Sequence, residues 1–450
     1  MKFCSVDGFR LVGSISVAAV CGALFWSSCA AAPPSEPARN IDTLTILHTN
    51  DMHAQLLPDD KGRGGWAAIA SVIKARKQSR PDVLALDAGD MTQGTPVSSI
   101  FYGRPIFQVM NASGYDFAVL GNHEFDNGTS RIREFREIAD FPLLSANVLE
   151  HGELVADAPT ALVDVDGVRV GIIGITTRDS IHQEGLSFLT PEQVVARYIP
   201  ELDERAHLIV VLSHLGHERE RKLALASEGI DVIVGGHTNA KLEAPVKVGN
   251  TWIAQAGPRG RLLGELNLTL DLETEEILSV EGRLIPIPAP GSTPDPETLA
   301  IIQEWEGRVA GTMNVKIGYN PKEQSISTLK QNIERVWLAT YRTDFAHQNP
   351  GGTRAYLPAG DILVRHIWNA MPFDNTLAVV DLTAEEIRTL MPDAAFDEPK
   401  QHYTVITNSY AGERMRERFN LPPERIHPID TAWREPILDY VRKHGHLDPD

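Results

Sequence analysis

Between residue 41 and about residue 260 the chain repeats one pattern: a short apolar run, a polar cluster at its carboxyl end, then a polar helix-like stretch. The runs are "LTILH", "VLALDAGD", "FAVLGNHE", "VRVGIIGIT", "LIVVLSH" and "VIVGGH". Wholly apolar runs of this length bounded by turn residues read as strands buried on both sides. Between them, "GGWAAIASVIKARKQ" sets Trp66, Ile69, Ala70 and Ile73 on one helical face. Strands that alternate with helices in this way predict an α/β architecture with its sheet covered on both faces. From about Arg261 to Leu284 the pattern turns to "LLGELNLTLDL" and "ILSVEGRLI", which predicts an antiparallel edge closing the layer.

The polar clusters carry the chemistry. Asp51 and His53 follow the first run, and Asp90 follows the second. Asn122, His123 and Asp126 follow the third, His214 and His217 the fifth, and His237 and Asn239 the sixth. Taken singly, each is an ordinary turn residue or a hydrogen-bonded histidine. Five strand ends of the same kind are hard to explain by turns, because the carboxyl ends of strands in open α/β sheets border one crevice. Glycines before Asp90, Asn122 and His237 allow tight turns there. Oxygen and imidazole ligands without thiolate suit Mn, Zn, Fe(II), Co or Mg. Two divalent ions roughly 3.5–4 Å apart need one bridging carboxylate, and such a pair clamps an in-line displacement at phosphorus. His123 is then placed to donate a hydrogen bond to the leaving or an equatorial oxygen. Asp126, three residues on, is placed to orient its ring.

Net charge of −18 argues against a nucleic-acid or anionic-membrane partner, each of which needs a basic surface. It leaves anionic substrates open, because a metal cluster reverses the field inside one cleft. All three cysteines, Cys4, Cys21 and Cys29, lie in the first 32 residues. That segment reads as an export signal: Lys2 and Arg10, the apolar "LVGSISVAAVCGALFW", then small residues. It is short for a membrane anchor and lacks a basic stop. Two processing routes fit: a lipobox-like "WSSC" with a lipid anchor on Cys29, or secretory cleavage near Ala32. Residues 33–40 form a Pro-rich tether. Export to the periplasm or cell surface is therefore expected, with or without a lipid.

The domain expected over residues 41–284 is followed by a linker and helix over 285–311, where "IPIPAPGSTPDP" has five prolines in twelve residues. A second, smaller α/β region is expected over 312–445. No internal repeat is visible in the mature chain.

In order and spelling, "HTNDMH", "LDAGD", "GNHEFD", "SHLGH" and "GGHTN" resemble the calcineurin-like metallophosphoesterases, specifically the secreted 5′-nucleotidase branch. The resemblance spans essentially the whole mature chain. It implies a four-layer α/β/β/α sandwich holding two divalent ions, and a second domain of the 5′-nucleotidase type that binds the nucleoside. Asp51, His53, Asp90 and Asn239 would hold one ion, and Asp90, Asn122, His214 and His237 the other. His123 and Asp126 match the catalytic pair, and His217 would stand behind the ligands. "NPGGTR" at Arg354 and "MPFDNTL" at Phe373 and Asn375 match segments that reach the substrate's phosphate or ribose and its base.

Two departures bear on the substrate. After "YTVITNSYAGERM" the usual Gly-Gly-Asp-Gly segment and second aromatic are replaced by "AGERMRERF", leaving Tyr410 as the available aromatic. The arginines usual early in this domain are not evident in "YNPKEQSISTLKQN", where Lys322 is the nearest cation. The expected activity is hydrolysis of nucleoside 5′-monophosphates. Cyclic nucleotides, nucleotide sugars or other small phosphoesters stand as alternative substrates, and a surface metal or nucleotide binder without turnover as a third reading.

Overall fold

The computed structural model describes residues 40–449. The expectations for the export segment and most of the tether, including Cys29, lie outside the described residues.

Two six-stranded sheets carry the amino-terminal lobe. In the first, Ile41–Thr49 lies parallel to Val83–Asp87, which continues through Phe117–Val119 to Leu143–Leu144. In the second, Leu208–His214 lies parallel to Val168–Thr176 and Val232–Gly235. The antiparallel edge expected from the sequence is present: Leu262–Asp271 pairs with Ile41–Thr49 on one side and Glu276–Pro286 on the other.

The sheets face each other. Leu44, Ile46, Leu84, Leu86 and Val119 of the first pack in one core with Val170, Ile172, Val210, Leu212 and Val234 of the second. Alternate residues point the other way. Leu47 and Ala85 meet Ile69, Ile73 and Phe107 from the helices Trp66–Ser79 and Arg104–Ser113. Ile173, Val211 and Ile233 meet Val194 and Leu223 from the helices Pro191–Asp203 and His217–Ala226. A strand buried on both faces reads as a near-continuous apolar run, as Val83–Asp87 and Leu208–His214 do, while Ile41–Thr49 also buries Thr45 and His48. The result is the α/β/β/α layering.

Past the proline-rich stretch, Asp295 caps the helix Pro296–Met313 by accepting from Thr298 N at 2.9 Å. This helix lies on the first lobe: Asp295 N donates to Ala67 O at 2.8 Å, and the Trp305 ring packs tilted against Phe101 with centroids 4.8 Å apart. Its apolar face, Ile302, Trp305 and Val309, explains the docking.

The carboxy-terminal lobe is built on a four-stranded sheet, ordered Phe345–Ala346, Tyr403–Asn408, Thr376–Leu382, Ile426–Ala432. The helices Ile326–Tyr341 and Glu435–His444 bring Trp337 and Ile437 into the core that also contains Trp66 and Trp305. Among the described residues no helix is long and apolar enough to cross a membrane.

Candidate metal centre

The strand ends of the two sheets converge where the sequence placed its polar clusters. Asp51, His53, Asp90, His237 and Asn239 all have left-handed backbone, with φ between 46° and 77°. Non-glycine residues rarely adopt it, and such strain persists only where the surroundings over-determine it. Here they do: Asp51 N donates to Gly89 O and His53 N to Asp90 O, both at 2.9 Å. The glycine before Asn122 is required by contact. A Cβ on Gly121 would stand 2.3 Å from both Asp90 N and Asp90 Oδ1.

Asp90, His214 and His237 offer ligand atoms within 4.8 Å of one another, and so do His53, Asp90 and His123. Asp90 belongs to both groups. Asp51 is fully buried; its Oδ2 accepts from Asn50 Nδ2 at 2.6 Å, and both its oxygens lie 3.1 Å from His237 N. Asn239 stands at the exposed rim, in the same cavity as His53.

Two buried atoms test whether a cation fits. Asn122 Oδ1 and His214 Nε2 have no hydrogen-bond partner. His214 Nδ1 lies 2.6 Å from Ala88 O, so it carries the ring proton there. Its Nε2 stands 3.1 Å from Asp90 Oδ2 without hydrogen-bond alignment. An unsatisfied buried acceptor costs on the order of 1–3 kcal/mol, and a divalent ion would satisfy both atoms. The donor set fits.

The charges of the bare centre show the same need. Burial works to lower the His214 pKa, but Asp90 overrides it and pushes the ring up to about 10. Burial pushes Asp51 up to about 6 against the opposing pull of His214. Bound cations would reverse both, favouring a bare imidazole and an ionised carboxylate. His53 is held well below the ordinary value by burial and by Arg354, whose Nη2 donates to His53 Nε2 at 2.7 Å.

His123 opens the short 3₁₀ turn His123–Phe125. Its N–H donates to Asp90 Oδ1 at 2.9 Å, and its Nδ1 donates to Asp126 Oδ2 at 2.8 Å. Burial would lower its pKa, yet Asp126 and Asp90 outweigh it and raise it to about 9. Phe373 stacks on the His123 ring, centroids 5.5 Å apart at 23°. Arg354 lies 5.8 Å from the Phe373 ring. Asn375 and Tyr410 line the same cleft of about 390 Å³, and Tyr410 Oη is 3.2 Å from Ser180 Oγ of the other lobe.

His217 is expected behind the ligands and not among them. It starts the helix His217–Ala226, donates from its N–H to Thr238 Oγ1 at 3.1 Å, and belongs to neither ligand group. The side chain that touches a ligand is Asp179, whose Oδ2 is 3.3 Å from His237 Nε2 and is gripped by Arg219 Nη2 at 2.7 Å. Sequence reasoning missed Asp179, which lies in the loop "TTRDS" with no glycine turn to mark it. It also passed over Glu124 inside "GNHEFD". The buried Glu124 carboxylate accepts from Gly121 N at 2.7 Å, Thr92 N at 3.0 Å and Asp90 N at 3.1 Å, tying two ligand loops together.

A double-sheet sandwich with oxygen and imidazole ligands gathered around one shared carboxylate is the class of phosphoester hydrolases that work with divalent metals. A family model described as calcineurin-like phosphoesterase matches residues 44–240, and one described as 5′-nucleotidase, C-terminal domain, matches residues 309–398. Protein UshA of Yersinia enterocolitica is 30% identical over 412 residues, 76% of this chain and 74% of that protein. A trifunctional nucleotide phosphoesterase of Bacillus subtilis is 29% identical over 85% of this chain, which spans only 30% of its length. The crystal structure of a 5′-nucleotidase precursor from Thermus thermophilus matches with a TM-score of 0.78 at 26% identity, covering 91% of this chain and 98% of that one. The chain belongs to the calcineurin-like phosphoesterases that carry a 5′-nucleotidase C-terminal domain, and is with them a phosphoric monoester hydrolase.

Proposed function

We propose that this chain is an exported phosphohydrolase that holds two divalent ions and releases phosphate from nucleoside 5′-monophosphates. The observation that carries the reading is Asp90, which takes part in both ligand groups while Asn122 Oδ1 and His214 Nε2 stand buried and unpartnered beside it. Asp51, His53, Asp90 and Asn239 would hold one ion, and Asp90, Asn122, His214 and His237 the other. When bound, such ions supply positive charge for the phosphoryl oxygens and a more acidic water.

The chain's own groups do the rest. His123 gives Nδ1–H to Asp126, so the second proton of the charged ring sits on Nε2, available to the leaving oxygen. Arg354 would meet the phosphate, and Phe373, Asn375 and Tyr410 would border the nucleoside in the cleft they line. Similarity to proteins named 5′-nucleotidase and nucleotide phosphoesterase supports a nucleotide substrate. The absent Gly-Gly-Asp-Gly segment favours a second reading, in which cyclic nucleotides, nucleotide sugars or other small phosphoesters are preferred. Export to the periplasm or cell surface, with or without a lipid on Cys29, rests on the leader alone.

The test is hydrolysis by Mn²⁺-loaded protein lacking the first 32 residues, at matched concentrations and read by the product of each substrate: phosphate from AMP and p-nitrophenyl phosphate, AMP from cyclic AMP, and UMP with glucose 1-phosphate from UDP-glucose. Strong preference for AMP is expected. Equal rates on AMP and p-nitrophenyl phosphate would remove the nucleotide from the reading, and inactivity on all four would leave a metal or nucleotide binder.

A further inference from the structure

A cavity of about 730 Å³ opens on the other side of Arg354 from the cleft that holds Phe373. It reaches the metal centre at His53 and Asn239, and both lobes line it. Of the five arginines on its wall, Arg63 and Arg261 are paired with Asp59 and Arg365 with Glu306, which leaves Arg259 from the first lobe and Arg354 from the second. Among the described residues neither makes an ion pair. Arg259 donates from Nη1 to Gln55 Oε1 at 3.3 Å and from Nη2 to the Arg354 carbonyl at 2.6 Å. Arg354 donates from Nη2 to His53 at 2.7 Å. Every partner is neutral.

Two like charges held together with no carboxylate bonded to either are unfavourable, and Asp59 on the same wall offsets this only in part. Burial and the neighbouring Arg354 bring Arg259 down to about 10. The arrangement is nevertheless built in. Arg259 has a left-handed backbone, φ 63°, and its N–H donates to Asp51 O at 2.8 Å, anchoring it to a ligand loop. Polar atoms around the cavity also lack partners: Thr353 Oγ1, on a residue 3% exposed, and Asn369 Oδ1. Hydrogen bonds are owed on this wall, and charge is unbalanced there. An anion carrying hydroxyl or amine groups would satisfy both.

We propose that Arg259 and Arg354 form a two-arginine anion site, delivered one from each lobe, which receives a second anionic group of the substrate beside the phosphoryl group at the metal centre. It rests on the reading of that centre as a phosphoester site. The second lobe lacks the arginines expected in "YNPKEQSISTLKQN", and Arg259 brings a cation to the interdomain cavity from the other side. The ligand class is a small phosphoester with a further phosphate or carboxylate, which extends the substrate range beyond monophosphates and leaves Arg354 shared between the phosphoryl group and the second anion. Arg259 is thus a specificity residue that touches the substrate away from the reacting atoms.

The test is direct binding, by calorimetry on the full-length Mn²⁺-loaded protein, of two probes that are not hydrolysed: methylphosphonate, with one anionic group, and phosphonoacetate, with two. Phosphonoacetate is expected to bind at least about tenfold more tightly, the value of one charge-assisted contact. Arg259→Gln keeps a donor for the Arg354 carbonyl and removes the charge. It should abolish the advantage while leaving methylphosphonate affinity unchanged, and Arg259→Lys should keep most of it. No advantage in the wild type, an advantage that survives Arg259→Gln, or equal loss in the Gln and Lys variants would overturn the proposal. Normal binding of both probes by a protein that releases no phosphate from AMP would sink the nucleotidase reading alone.

Discussion

In the first lobe the groups facing the centre are fixed from behind. Asp51, Asp90 and His214 are at most 2% exposed. Glu124 grips the loops of Asp90 and Gly121, Ala88 O orients His214, and Asp179 touches His237. In the second lobe the groups facing the same space, Arg354, Phe373 and Asn375, are half-buried. They are held by their main chain: Trp433 Nε1 and Arg434 Nη1 donate to Phe373 O at 2.8 and 2.9 Å, while the Phe373 ring rests on His123. Ligand atoms must be placed to a few tenths of an ångström, whereas a stacking ring tolerates more. The chemistry is therefore built rigidly and the selectivity adaptably, and changes in the two lobes should break different measurements.

The largest effect short of emptying the centre is expected at His123. His123→Ala should lower kcat by about 10²–10⁴-fold, the range for a positioned proton donor, with metal content unchanged. Loss of metal in that variant would move His123 into the ligand set. Asp179→Asn comes next, weakening metal affinity by about 10–100-fold, as loss of a carboxylate behind a ligand histidine does. Titration of the metal-free protein with Mn²⁺ checks it, and unchanged affinity would make Asp179 a surface residue.

On the other side of the comparison, Phe373→Ala should raise KM for AMP about tenfold, the lower range for a base–aromatic stack, and spare p-nitrophenyl phosphate. Equal changes on both substrates would place Phe373 with the chemistry through its contact with His123. The smallest effect concerns pH. Burial favours the neutral His123 ring, but Asp126 and Asp90 raise its pKa to about 9, so the proton is present below that value and lost above it. The alkaline limb of kcat should fall at or below about pH 9, since cations beside Asp90 would remove part of what holds the proton. Asp126→Asn should move it to lower pH; an unmoved limb would assign it to another group.

Much of the first lobe was legible because its strands are buried on both faces, so each apolar run ends where a polar residue can only face the crevice. That rule singles out Asp51, His53, Asp90, Asn122, His214 and His237, and the fold brings His53, Asp90, His214 and His237 within reach of one another. The helix after the proline-rich stretch could be recognised from the sequence, but its seat against Ala67 and Phe101 depends on tertiary packing. Asp179, Glu124 and Arg259 were missed for one physical reason. Each acts through a contact distant in sequence or hidden inside a motif: Asp179 on His237, Glu124 on Asp90, Arg259 on Arg354. No local pattern marks a charged residue whose partner the fold brings from elsewhere. His217, three residues from His214, is expected behind the ligands, and helix entry there keeps it out of both ligand groups.

Asp90 is the residue on which the account depends, and metal analysis addresses it without reference to any substrate. The purified protein, saturated with Mn²⁺ and desalted, should retain two ions per chain, and Asp90→Asn should retain one or none. Two ions in the variant, or no more than one in the wild type, would contradict a centre built around a shared carboxylate.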